Sequence, residues 1–129
     1  MNSSQTRRRG QAAYKALFGR EKKLDADSTD LDQLTIDHLY ADIWSRKAIP
    51  MRVRSMITLT LLTALGRDRE LQMHLEGALR LGVTRAEVLE IMIHVAHYAG
   101  WPAAHNGQRI AQEVFKKSEA RGLRSEARG

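Results

Sequence analysis

The sequence contains no cysteine. Disulfides, thiolate metal ligands, cysteine nucleophiles and dithiol redox chemistry are excluded together. Proline is scarce, with two residues in 129, and nine glycines leave long stretches free to be helical. Seven aromatic residues are too few to build a core, which must be mostly Leu, Ile, Val, Met and Ala. The longest apolar run, near Met56 to Leu65, is too short to span a bilayer and reads as a buried helix. The opening MNSSQTRRRG leads into QAAYKALF rather than an apolar signal core, so no secretory signal and a cytoplasmic location are expected. There is no glycine-rich phosphate loop, no Gly-x-Ser-x-Gly elbow and no dinucleotide fingerprint.

The formal charge of +6 is unevenly spread. Residues 1–23 hold seven Lys/Arg against one acid, and residues 116–129 hold five against two. The middle, 24–115, holds nine against twelve and is acidic. A nucleic-acid-binding domain carries its positive charge on a folded face. Here the charge belongs to the tails, so solubilising tails are expected and no nucleic-acid partner is. Residues 1–23 are read as a basic, partly disordered segment, 24–120 as one helical domain and 121–129 as a basic tail.

Within the domain the pattern is helical throughout. Residues 1–10 are expected to be disordered, and 11–23 to form a short helix ending near Gly19. Ser28, Thr29 and Asp30 offer N-caps for a helix through Trp44, with Leu31, Leu34, Ile36, Leu39, Tyr40 and Ile43 at helical spacing. Pro50 fits the first turn of a helix to Leu65, which is apolar on most faces and is expected at the bundle centre. Gly66 ends it. A fourth helix spans about Asp68 to Leu81. Thr84-Arg-Ala-Glu87 has the form of a capping box opening a helix from Arg85 to Ala99. Gly100 closes that helix, and Pro102 sits in the first turn of a last one through about Ala120. No segment alternates with period two, so the fold class is all-α, a single bundle of five or six helices. A narrow core of this length favours oligomerisation.

The chemistry-bearing residues are histidines and arginines. On a helix, residues three and four apart share a face, so Glu90, His94 and His97 can line one stripe, and Glu70 can orient His74. Histidine titrates near neutral pH and can give and take protons. The same residues, His74, His94 and His97 with the glutamates, are also the candidate ligands of a metal site, although the spacing matches no standard motif. His38 and His105 are read as structural. Arg52 and Arg54 at the start of an apolar helix need anionic partners. These are either an acid such as Asp42 or a substrate carboxylate, which Arg binds by paired hydrogen bonds. Arg46 and Trp44 can join either arrangement. Tyr98, Gly100, Trp101 and Pro102 form a compact turn, in which Trp101 is expected to be a packing anchor rather than a pocket wall.

Several motifs occur in order between Arg52 and Ala104: Arg-x-Arg-Ser, Ala-Leu-Gly-Arg, Glu-Leu-x-x-His, Gly-Val-Thr-x-x-Glu-Val and Tyr-Ala-Gly-x-Pro-Ala. This segment resembles the carboxymuconolactone decarboxylase family. The resemblance implies the alkylhydroperoxidase D-like helical fold and ring-shaped homotrimers or homohexamers. It also implies cofactor-free decarboxylation of 4-carboxymuconolactone or a related lactone or cyclic acid in aromatic compound degradation. The peroxidase branch uses Cys-x-x-Cys-x-x-x-His. Its histidine falls on His74 and its cysteines on Arg67 and Glu70, so dithiol peroxidase activity is excluded. His97, Trp101 and His105 depart from the decarboxylase pattern. On this basis His74, His94 and Glu70 are the candidate catalytic residues. Arg52, Arg54, His97, Tyr98 and Trp101 are the candidate substrate-binding residues, with no metal or cofactor and a small carboxylate or lactone as partner. The alternatives are a metal-dependent enzyme using the Glu/His cluster and a non-catalytic ligand-binding oligomer.

Overall fold

The computed structural model describes residues 2–128, with side chains through residue 122. Six α-helices run through it: α1 (Ser3–Phe18), α2 (Asp30–Leu34), α3 (Met51–Leu65), α4 (Asp68–Arg80), α5 (Arg85–Ala99) and α6 (Trp101–Arg128). No strand occurs among the described residues. None of these helices is long and apolar enough to cross a membrane.

The largest departure from the sequence reading is at the N-terminus. Residues 3–10 are helical, not disordered. Asn2 and Gln5 form a capping box, and the helix ends on Gly19 with φ 79°. Tertiary partners hold the segment in place. Arg7 makes a two-pronged ion pair with Asp37, at 2.6 and 2.7 Å. Arg9 donates to the Ala41 carbonyl at 2.7 Å and pairs with Asp42 at 2.5 Å. Gly10 lets the helices touch, because a Cβ there would lie 2.0 Å from the Ile36 carbonyl oxygen. Part of the N-terminal positive charge is thus structural, consumed in docking α1.

Thr29 caps α2 with its side chain and shares a capping box with Asp32, as the N-cap reading requires. The helix then continues to Trp44, but Thr35–Trp44 is wound as a π-helix, a form uncommon beyond a single turn. The spacing of four keeps Ile36, Tyr40 and Trp44 together, and all three are buried. Pro50 is the N-cap of α3, with extended backbone, rather than a first-turn residue. At the other end, α6 runs to Arg128, beyond the expected stop at Ala120. The side chains of most of the expected tail, 121–129, lie outside the described residues.

Two apolar clusters result. One joins α3, α4, α5 and α6 through residues such as Leu59, Leu75, Val88, Met92 and Val114. The other joins α1 and the π segment through Tyr14, Leu17, Phe18, Tyr40 and Trp44, with Met51 and Met73 packed against it. The expected central place of α3 is not found. Only Ser55, Leu59 and Thr63 on it are buried, while Ile57, Leu61 and Leu65 are about half exposed or more. Its apolar residues surround the helix, and a single chain covers just one side of it.

Candidate active site

The predicted site residues separate onto three parts of the surface. His94 lies in a groove of about 490 Å³ between α3 and α5, lined also by Val53, Met56, Thr60, Glu87 and Glu90. Its ring stacks on Tyr98 at 4.8 Å, and Tyr98 is itself exposed. His97 turns instead to a notch of about 110 Å³ between α5 and α6, with Trp101 and His105. Its Nδ1 meets the Ile93 carbonyl at 2.8 Å, and its ring meets Trp101 edge-on at 5.0 Å. Trp101 is 55% exposed, so it walls this notch and is not the packing anchor expected. His94 and His97, although one turn apart, serve different grooves. Glu90 shares only the groove of His94.

His74 belongs to neither. It packs on the α1 and π-segment cluster, edge-on to Phe18 at 5.1 Å and stacked on Trp44 at 6.0 Å. Trp44 is stacked in turn on Tyr40 at 5.6 Å. Glu70 is exposed and makes no hydrogen bond to His74, whose Nδ1 is buried without a partner. The ring is therefore oriented by aromatic packing and not by the glutamate. Burial pushes the His74 imidazole down to about 4, against a smaller upward pull from Glu70. Burial also drives the Tyr40 hydroxyl upward.

The histidines do not converge. No group of three His, Asp or Glu able to hold a metal ion occurs among the described residues, so the proposed Glu/His metal cluster is not assembled by the fold. His38 bonds Asp42 at 3.1 Å, as a structural residue would.

The two arginines of Arg-x-Arg differ. Arg52 is paired with Glu87, the capping-box residue of α5, and not with Asp42. Glu87 is held below the usual carboxylate range by the Thr84 backbone N–H and by Arg52. Arg54 has its Nε buried without a hydrogen-bond partner, and the neighbouring Ser55 hydroxyl is in the same condition. With His74 Nδ1 these complete the buried side-chain polar atoms lacking a partner among the described residues. Such atoms are costly, on the order of 1–3 kcal/mol each, and native proteins keep few of them, so a bound partner or a functional role is the explanation to look for.

Their setting suits an anion. Arg54 is one helical turn after Met51, which packs against the cluster that holds Trp44, the ring on which His74 stacks. A cleft of about 330 Å³ opens at this junction, lined by Trp44, Ser45, Arg46, Lys47, Pro50 and Met51. Ser45 is tied down by a hydroxyl bond to the Ala41 carbonyl. The cleft is of the size that holds small molecules. It carries two cationic residues and no acid, whereas the α3–α5 groove carries Glu87 and Glu90. A carboxylate is favoured in the first and repelled from the second. Sequence reasoning allowed Arg46 and Trp44 to join either the ion pair or the carboxylate anchor of Arg52 and Arg54, without choosing between them. The signal available was their place just before Pro50, where a helix end and a cap meet.

Residues 29–113 match the sequence model of the Carboxymuconolactone decarboxylase family. The chain is 34% identical over 123 residues to a 4-carboxymuconolactone decarboxylase of Acinetobacter baylyi, covering 90% of this chain and 91% of that one. It is 28% identical over 90 residues to a nitrosuccinic acid decarboxylase of Metarhizium robertsii, covering 70% of this chain and 63% of the relative. An uncharacterized 15.0 kDa protein of Paracoccus denitrificans is 24% identical over 82 residues, 62% of this chain and 61% of that one.

Proposed function

Because the chain belongs to the carboxymuconolactone decarboxylase family, we propose that it is a carboxy-lyase acting on 4-carboxymuconolactone or a related lactone or cyclic acid, in the cleft between the π segment and α3. One observation carries the choice of site. Arg54 and His74 keep buried polar atoms unpartnered, the first one helical turn from Met51 and the second stacked on Trp44, and Met51 and Trp44 both line a basic cleft.

Decarboxylation needs somewhere for the electron pair of the broken C–C bond to go. In such a lactone the conjugated carbonyl is that sink, so the substrate supplies what a cofactor would otherwise provide. The protein has three tasks: to hold the carboxylates, to stabilise the dienolate oxygen and to protonate carbon. Arg54 holds a carboxylate, with Arg46 and Lys47 supplying field at the cleft mouth. His74 gives the proton. It stands beside Trp44, whose ring lines the cleft, and catalytic hydrogen bonds commonly tighten only in the substrate complex. Arg52, committed to Glu87, has a structural part. His94, in an acid-lined groove, has no role in this step.

The exposed Ile57, Leu61, Leu65, Ile93, Tyr98 and Trp101 give the reading of a homotrimer or homohexamer its support. So much apolar surface on α3, α5 and the start of α6 is better covered than left in water.

The test is carbon dioxide release from 4-carboxymuconolactone by metal-stripped protein. We expect turnover that survives chelation and falls on the order of 10²-fold or more in His74→Gln. His94→Ala should stay within a few-fold of the parent. Loss of turnover in His94→Ala with retention in His74→Gln would move the site to the α3–α5 groove.

A further inference from the structure

We propose that the notch between α5 and α6 is a site for a borderline divalent transition-metal ion such as Zn²⁺, held by the imidazoles of His97 and His105. The notch shares no lining residue with the cleft between the π segment and α3, and the inference stands independently of the carboxy-lyase reading.

Sequence spacing grouped His97 with His94 and left His105 aside. The fold instead sets His97, near the end of α5, and His105, one turn into α6, around the same notch. The chain folds back between them at Gly100, whose φ of 104° lets α5 stop and α6 begin at the next residue. Each ring offers a lone pair. The Nδ1 of His97 lies 2.8 Å from the Ile93 carbonyl, which can only accept, so Nδ1 carries the hydrogen and the lone pair is on Nε2. Metal-ligating histidines are held in this way, with the second ring nitrogen donating to a backbone carbonyl, a carboxylate or water. Trp101 braces the same ring edge-on at 5.0 Å. His105 is exposed and makes no hydrogen bond or ion pair among the described residues, so either of its nitrogens can ligate. Gln108, one turn after His105, brings a carboxamide to the notch and can hold a water of the ion.

Size and charge select the ligand. The notch holds about 110 Å³, against about 330 Å³ for the cleft, which is room for a hydrated ion and not for an organic substrate. No Lys, Arg, Asp or Glu lines it. An anion needs both imidazoles protonated, whereas above about pH 7 imidazole is mostly neutral and presents nitrogen lone pairs. Imidazole suits Zn²⁺, Cu²⁺ and Ni²⁺, while Mg²⁺ and Ca²⁺ prefer oxygen. Two side chains are fewer than a closed site uses, in keeping with the lack of any metal-binding group of three His, Asp or Glu among the described residues. The ion therefore keeps water in its remaining positions and exchanges with solution. Protons compete for the same lone pairs, so affinity falls as pH drops through about 6.5.

NMR on full-length, ¹⁵N-histidine-labelled protein tests this at pH 7.5, after chelator treatment and removal of the chelator, with ZnCl₂ as the probe. The two rings are assigned by their loss in His97→Gln and His105→Gln; both side chains are exposed, so the variants fold. We expect His97 and His105 to move together along one binding curve while His38, His74 and His94 stay in place. MgCl₂ at the same concentration should move none. By calorimetry each substitution should weaken Zn²⁺ binding at least about tenfold. The parent should lose as much between pH 7.5 and pH 5.5. A response at only one of the two rings, at neither, or equally at all five histidines overturns the proposal, as does undiminished affinity in His105→Gln. A response of both rings to phosphate at pH 5.5, with none to Zn²⁺ at pH 7.5, also overturns it and marks an anion site. Carbon dioxide release by the same chelator-treated sample reads the carboxy-lyase proposal separately.

Discussion

Replacing His74 by leucine isolates the cost of keeping that ring in its aromatic box. Two contributions oppose each other at pH 7.5. The substitution removes a buried Nδ1 with no partner, worth roughly 1–3 kcal/mol of relief. It also removes ring contacts with Phe18 and Trp44, worth about 0.5–1.5 kcal/mol each. The variant should therefore lie within about 1 kcal/mol of the parent there. At lower pH the two must part. The imidazole is near 4 when folded and near 6.5 when unfolded, so its folded value is depressed. The unfolded chain binds the proton first, and wild-type stability is lost as pH falls from 6.5 towards 4. At pH 5 the linkage amounts to about 2 kcal/mol, which the leucine variant does not lose. Urea unfolding at pH 7.5 and pH 5, at one fixed protein concentration, measures the difference of differences. Parallel pH dependence in the two proteins would refute the reasoning, because it would mean that the ring titrates alike folded and unfolded.

Arg54→Met should cut kcat/KM on 4-carboxymuconolactone by about a hundredfold while the urea midpoint holds or rises, since the buried Nε it removes bonds nothing in the protein and its loss relieves a cost of roughly 1–3 kcal/mol. Arg52→Met should do the reverse, with activity within a few-fold and stability lower by at most about 1 kcal/mol, because its ion pair with Glu87 is partly exposed. Gly10→Ala should destabilise by about 3 kcal/mol or more, because its Cβ would strike the Ile36 backbone; thermal unfolding reads this. Leu61→Arg, on the exposed face of α3, should lower the oligomer mass in light scattering without changing far-UV circular dichroism of the fold.

The chain determined much by itself. The helical period, the stops at Gly19, Gly66 and Gly100, an N-cap among Ser28, Thr29 and Asp30 and the capping box at Thr84 are local signals, and each is found where the residues put it. The missing cysteines settled the chemistry that cannot occur, and five ordered motifs between Arg52 and Ala104 carried the family. Local signals failed where a distant residue decides. Arg7 and Arg9 look like a solvated basic run until Asp37 and Asp42 are brought beside them, so the N-terminus read as disorder and folds as helix. Sequence spacing set Glu70 one turn from His74, but a shared helix face does not fix a side-chain bond. Helical spacing likewise gathered His94 and His97. Packing divided them, because α3 meets one side of α5 and α6 the other. Which histidine is shielded from water, and which arginine is left unpaired, depends on contacts between helices far apart in sequence. Those contacts set the solvation and the charge on each group, and the tertiary structure alone decided them.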